Sequence, residues 1–199
     1  IAGPLWMKWN LVGESGHAGA TPMYMRKDPL QVFAKIASKV DALARSNPNT
    51  VATIGKVNVK PGGVNIIPEE IEFTLDLRDI DENARNLVEK EIISYGEEIC
   101  KKHQITMRTT TLQRIDPVLC SKEIQQLIEE SCREHQINTM TLPSGAGHDA
   151  MQFNDVCPIG MIFVRSKDGI SHNPKEFSSK EDCEIGTNIL YSVIIKLAL

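Results

Sequence analysis

The sequence predicts two small units of different kinds. A ferredoxin-like α+β sandwich, β-α-β-β-α-β, covers residues 1–114, and an incomplete α/β domain covers residues 115–199. Three observations carry this reading. Three early stretches alternate apolar and polar side chains with period two, as half-buried strands do. Two stretches between and after them repeat apolar residues at helical spacing. Beyond Asp116-Pro117 the alternation gives way to a nearly continuous apolar run, PIGMIFV at 158–164, the pattern of a strand covered on both faces.

Taken in order, Leu5, Met7, Trp9 and Leu11 oppose Trp6, Lys8, Asn10 and Val12, which predicts a strand over 5–12 with one strongly apolar face. A glycine-rich loop, GESGHAGATPMYMR, follows at 13–26. Asp28 is a natural N-cap with Pro29 at the first helical position, and Leu30, Phe33, Ile36, Ala37, Val40 and Ala44 keep helical spacing to about Arg45. Ser46 to Asn49 breaks that helix. Val51, Thr53, Gly55, Val57 and Val59 then alternate with Ala52, Ile54, Lys56 and Asn58 as a second strand, and Pro61-Gly62-Gly63 turns the chain. In the third strand Ile71, Phe73, Leu75 and Leu77 alternate with Glu72, Thr74, Asp76 and Arg78. Ala84, Leu87, Val88, Ile92, Tyr95 and Ile99 mark a helix to about Lys102, and a last strand runs near Ile105 to Leu112. The resulting order is that of an antiparallel sheet with two helices on one face.

In the second part Ser121 can cap a helix carrying Ile124, Leu127, Ile128 and Cys132. Short strands are predicted at Thr139–Leu142 and Pro158–Val164. Ser179, with Asp182 three residues on, opens a closing helix through Ile185, Ile189, Val193 and Leu197. A helix, two short strands and a helix cannot close their own sheet, so this part reads as the remnant of a larger α/β domain.

Composition narrows the functions. A net charge of −4, with no basic block, argues against nucleic acid as a partner. No apolar run is long enough to span a membrane. The five cysteines are odd in number, widely spaced and free of any CxxC pair, which predicts reduced, structural thiols in a cytoplasmic protein. The chain begins Ile-Ala-Gly, without initiator Met or signal peptide, and is expected to be part of something longer.

Several polar residues stand where chemistry is done. His17 lies among glycines at the approach to a helix, where free N–H groups gather; it is either an oxyanion or anion donor or a partly exposed turn histidine. Asn65 sits before Pro68, and Arg78 leaves the polar face near a strand end. They are either ligand contacts or a turn asparagine and a surface arginine paired to Asp76 or Asp79. His148 lies in a second glycine-rich loop, PSGAGHDA at 143–150. His172 lies just past the run at 158–164, where open α/β sheets place ligands, and a neutral imidazole there can bind a divalent metal. No HExxH or similar cluster supplies a second ligand.

Four runs in sequence, GHAGATPMYMRKDP, PGGVNIIPEEIEFTLDLRD, PSGAGHDA and CPIGMIFVRSKDGISHNPKE, closely resemble the M20-type metallo-amidohydrolases. Within that group they look most like the bacterial N-carbamoyl-L-amino-acid hydrolases, with allantoate amidohydrolases and β-ureidopropionases as relatives. The resemblance implies a two-domain subunit: an α/β catalytic domain with two divalent metals (Zn, Mn, Co or Ni), and an inserted ferredoxin-like lid that makes a homodimer. By motif, His17 matches the lid histidine that stabilises the tetrahedral oxyanion, in many members across the dimer interface. Asn65 and Arg78 match residues that hold the substrate, Arg78 gripping its free carboxylate. Gly145, Ala146, Gly147 and His148 match an active-site loop, and His172 matches a metal-ligand histidine. The family's other metal ligands and its general-base glutamate have no counterpart here. The chain alone is therefore expected to be inactive and to bind no stoichiometric metal pair. The alternatives are a fragment of an allantoate amidohydrolase or M20 dipeptidase, and a non-catalytic dimerising module.

Overall fold

Alternation in sequence becomes alternation in burial. Along β5 (Glu70–Asp79) every second residue is buried, and Ile71, Phe73, Leu75 and Leu77 are sealed from solvent. Its neighbour β1 (Gly3–Val12) presents Leu5, Met7, Trp9 and Leu11 to the same side. With β3 (Val51–Lys60) and β6 (Thr106–Arg114) they form a four-stranded sheet in the order β3-β5-β1-β6. Every pairing is antiparallel. The order matches the expected ferredoxin-like topology.

The computed structural model describes residues 1–199, which fall into two compact units: 1–118 with 143–147, and 119–142 with 148–199. In the first unit, α1 (Pro29–Ser46) and α2 (Glu82–His103) cover the apolar face of the sheet. Val32, Ile36, Val40, Val88 and Ile92 join the strand residues in one core. Trp9 stands opposite Phe73 across β1 and β5, their rings stacked with centroids 5.5 Å apart. Phe33 of α1 meets Phe73 edge-on at 4.9 Å. Burying side chains of this size is worth roughly 1.5–3 kcal/mol each, so this trio ties the helix layer to the sheet. α1 begins at its predicted cap, the Asp28 carboxylate accepting from the Leu30 N–H at 2.9 Å; α2 begins at a cap that the spacing does not point to, Asp81, which accepts from Asn83 and Ala84.

Two further strands carry no period-two signal because each is only two residues long. β2 (Gly16–His17) and β4 (Ile66–Ile67) pair antiparallel as a separate small sheet. They lie just past the ends of β1 and β5 where Val12 faces Glu70. Gly13 lets the chain turn there: a Cβ at this position would sit 2.0 Å from the Lys27 carbonyl oxygen, so only glycine allows the close crossing.

The second unit is helical. α3 (Lys122–Glu134) and α4 (Lys180–Ala198) enclose a small core of Cys132, Ile189 and Val193, with Leu127, Ile128, Ile137 and Ile162 against it. Ser121 caps α3. Ser179 Oγ accepts from the Asp182 N–H at 3.0 Å and donates to its carboxylate at 2.7 Å, the predicted cap of α4. The two predicted strands are not formed. Residues 139–142 and 158–164 carry no strand hydrogen bonding. Within the second run Ile159 is buried, but Phe163 and Val164 are 53% and 40% exposed. An apolar run becomes a doubly covered strand only where neighbouring strands satisfy its backbone, and this unit contains no strand to pair with. One backbone hydrogen bond, from the Ser121 N–H to the Ile159 carbonyl at 2.8 Å, and the packing of Ile162 on the core and of Gly160 on Ile124 hold the run beside α3. No helix in the chain is long and apolar enough to cross a membrane.

Candidate functional site

His17 occupies β2 opposite Ile66. One residue on, the Ala18 N–H donates to the Asn65 carbonyl at 2.9 Å. Backbone pairing thus brings together two of the residues singled out from sequence. After His17 the chain doubles back, the N–H groups of Ala20 and Thr21 both donating to the His17 carbonyl. This turn also aims N–H groups at the imidazole: Gly19 N donates to Nδ1 at 3.0 Å, and the Ala20 N–H, shared with the His17 carbonyl, reaches Nδ1 at 3.2 Å. An atom that accepts two N–H donors carries no proton, so the neutral ring bears its hydrogen on Nε2. Because His17 is exposed, that Nε2–H is a donor available to a ligand. Asn65 is exposed at the same end of the sheet.

Arg78 lies near the other end of β5, opposite Pro4 of β1 and Val51 of β3. Its Nε and Nη2 donate to the two oxygens of Asp76 at 2.9 and 2.7 Å, and Nη1 donates to the Gly145 carbonyl at 3.0 Å. The hydrogen bonding to Asp76 raises its pKa above the ordinary arginine value. Of the five N–H groups of a guanidinium, three are engaged. One on Nη1 and one on Nη2 remain, the number a carboxylate takes. The surface-pair reading and the ligand-clamp reading of Arg78 are therefore compatible.

The loop bearing Gly145 is tied into the first unit. The Ala2 N–H donates to the Ser144 carbonyl at 2.8 Å, and Ser144 Oγ donates to the Ala146 carbonyl at 3.1 Å. Gly145, Ala146 and Gly147 are exposed. A Cβ added at Gly145 or Gly147 would meet nothing within 4 Å. These glycines are not demanded by packing in the chain itself. His148 is half-buried, and its carbonyl accepts from Met151 at the start of the short 3-10 turn Asp149–Phe153.

The two ends of the sheet are far apart. Glu70 to Arg78 is eight residues of strand at ~3.3 Å each, or about 26 Å. His17 and Asn65 gather at the Glu70 end, and Arg78 and Gly145 at the other. Within one chain these pairs cannot touch the same small molecule.

His172 sits in the second unit, exposed, with φ of 55°. A left-handed backbone is uncommon in a residue with a Cβ, and here a tight turn holds it. The His172 N–H donates to Glu176 Oε2 at 2.8 Å, and the Glu176 N–H returns to the Asn173 carbonyl at 2.9 Å. No group of three or more His, Cys, Asp or Glu side chains could hold a metal ion. Metal centres in hydrolases take three or four protein ligands; His172 is the one that the sequence singled out in this chain.

Sequence reasoning missed Arg26. Its Nε donates to the Thr21 carbonyl at 3.0 Å and its Nη2 to the Ala18 carbonyl, so it spans the turn that holds the His17 ring. The available signal was one arginine closing the glycine-rich loop, whose other ionisable side chains are Glu14 and His17.

A ferredoxin-like unit that presents a histidine, an asparagine and an arginine on its loops and strand ends, joined to a helical unit, defines a class that comparison makes explicit. The model of the peptidase family M20/M25/M40 matches residues 12–196, and the chain belongs to that family. It is 46% identical over 198 residues to an N-carbamoyl-L-amino acid amidohydrolase of Geobacillus stearothermophilus, covering 100% of this chain and 48% of that protein. It is 43% identical over 198 residues to an N-carbamoyl-L-amino-acid amidohydrolase of Pseudomonas sp. (strain NS671), covering 98% and 48%. Among solved structures, an amidase of the hydantoinase/carbamoylase family from Burkholderia multivorans superposes with a TM-score of 0.93 at 28% identity, over 98% of this chain and 48% of that one. The chain spans about half the length of the curated relatives it matches.

Proposed function

We propose that this chain forms the lid and the C-terminal part of a cytoplasmic amidohydrolase that cleaves the carbamoyl C–N bond of N-carbamoyl-L-amino acids, giving amino acid, CO2 and ammonia. The relatives support the substrate class. The observation that carries the residue roles is the separation of His17 from Arg78 by the length of the sheet. Two groups that serve one small substrate and cannot reach it from the same chain must come from two copies, so the site is proposed to be completed in a homodimer formed through the first unit.

In that site Arg78 would hold the substrate carboxylate with its two remaining N–H groups, and the Asn65 amide would bind the same substrate near His17. Attack on the carbamoyl carbon turns its carbonyl oxygen into an oxyanion. His17 is set to meet it, because Gly19 and Ala20 hold the ring in the form with hydrogen on Nε2, and a donor placed before the charge develops stabilises the transition state more than the ground state. Gly145, Ala146, Gly147 and His148 would border the bound substrate, Gly145 through its bond to Arg78. His172 is proposed as one ligand of the divalent metals used across the family, whose other ligands are not among the residues of this chain.

The test uses the active full-length protein with two variants, His17→Ala and Arg78→Ala, each impaired alone. If each site draws on both copies, mixed dimers regain one intact site. Refolding the variants together should restore roughly a quarter of wild-type activity, one good site in half of the dimers of a two-fold assembly. No restoration would place both residues in one copy's site and overturn the reading. Turnover of N-carbamoyl amino acids above allantoate and dipeptides is expected; the reverse order would reassign the substrate. No turnover of any would leave the dimerising module.

A further inference from the structure

We propose that Arg26 is a positioning residue for His17, acting through a single peptide group. The Ala18–Gly19 peptide lies between them. Its carbonyl oxygen accepts from Arg26 Nη2, and its N–H donates to His17 Nδ1 at 3.0 Å. A trans peptide points its C=O and N–H in opposite directions, so one peptide can take a guanidinium on one side and an imidazole on the other. A cation on the carbonyl draws electron density from the amide and strengthens the N–H as a donor, the cooperative effect that chained hydrogen bonds show in a protein. The second prong of the fork, Nε to the Thr21 carbonyl at 3.0 Å, closes the far end of the same turn. Arg26 thereby stiffens the turn and biases the imidazole toward the tautomer that leaves Nε2–H facing out.

The geometry asks for arginine in particular. Two carbonyls three residues apart are bridged by one planar group with separated donors, and a lysine ammonium presents all its donors at a single point. Arg26 is half-buried and outside the hydrophobic core, so its replacement should disturb the turn and leave the sheet standing.

The inference about the tautomer stands on this chain alone; only its kinetic consequence rests on the oxyanion role proposed for His17. The experiment is 15N NMR of the His17 ring in the 199-residue chain, at a pH where the imidazole is neutral, for wild type, Arg26→Lys and Arg26→Met. Wild type should show one tautomer, with Nδ1 unprotonated and Nε2 protonated. Arg26→Met should show a mixture of both, and Arg26→Lys should lie between. Wild-type ring signals in a folded Arg26→Met would overturn the proposal. Unfolding of both variants would also overturn it, since Arg26 would then serve the whole fold and not the turn. In the active full-length protein Arg26→Met should lower kcat with little effect on KM, and should cost nothing further when His17→Ala is already present. If the NMR result holds and the kinetic one fails, Arg26 does set the ring and the oxyanion role of His17 is what is wrong.

Discussion

Replacing Arg78 by lysine separates the two demands on its guanidinium. In the native chain two N–H groups go to Asp76, one goes to the Gly145 carbonyl, and two remain for a substrate carboxylate. A lysine has three donors on one nitrogen. If it stays with Asp76 it has no second prong to offer, and if it turns to the substrate it abandons Asp76 and Gly145. At least one charge-assisted hydrogen bond to the substrate is therefore lost, worth about 1.5–3 kcal/mol. That corresponds to a rise of about 10- to 150-fold in KM. Because the carboxylate is held alike before and during reaction, kcat should fall much less. Steady-state kinetics of the full-length protein on an N-carbamoyl amino acid read both constants. A fall in kcat at unchanged KM would mean that Arg78 matters through the Gly145 loop and not as a clamp. Wild-type constants would reduce the Arg78–Asp76 pair to a surface ion pair.

Three other outcomes follow from particular contacts. His17→Ala should lower kcat by about 10²-fold or more with KM nearly unchanged, the scale of losing one oxyanion donor; a change in KM alone would make His17 a ground-state contact. Asp28→Ala removes the side-chain acceptor for the Leu30 N–H at the start of α1, and should cost about 1 kcal/mol in denaturant unfolding of the first unit; an unchanged midpoint would refute the cap. Burial pushes the Cys100 thiol up to about 11 from 9.0, so the unfolded chain releases that proton first as pH rises. The contribution is whole below pH 9 and is lost as pH climbs towards 11, so the stability advantage of wild type over Cys100→Ala should shrink across that window. A constant difference, measured by urea unfolding at several pH values, would count against it.

What could be read from the sequence depended on whether the cause lies in the segment itself. Ile71 to Leu77 could be read, because a half-buried strand writes its two faces into successive residues, and Asp28-Pro29 could be read because a cap is a local bond. Pro158 to Val164 misled for the complementary reason. Its apolar character is local, but a strand is made by its neighbours, and its unit provides none. The pairing of His17 with Asn65 left no trace in side-chain pattern, since it is made by backbone groups of two two-residue strands. Resemblance supplied expected roles for His17, Asn65 and Arg78, yet only the strand pairings show that the small β2–β4 sheet with His17 lies past the Glu70 end of β5, whose other end carries Arg78.

The two ends are also held by different means. Arg78 follows Leu77, which lies in the core, and β5 is bonded on both sides by β1 and β3. Its backbone cannot shift without disturbing the strands that carry the Trp9–Phe73 stack, so the proposed carboxylate clamp inherits the stability of the whole unit. His17 has no such support. Apart from the buried Ile67 of β4, the residues around it are exposed or half-buried, and their order comes largely from hydrogen bonds: the β2–β4 pairing, the bonds to Nδ1 and the Arg26 fork. Each such bond contributes only about 0.5–1.5 kcal/mol, and exposed segments with few apolar contacts sit at the low end of a protein's local stability. If His17 is the oxyanion donor proposed above, its ring needs to be fixed locally, because the core does not reach it. That is the physical reason for an arginine inside the turn, and it makes the His17 end, not the Arg78 end, the place where small changes in sequence should alter catalysis without altering the fold.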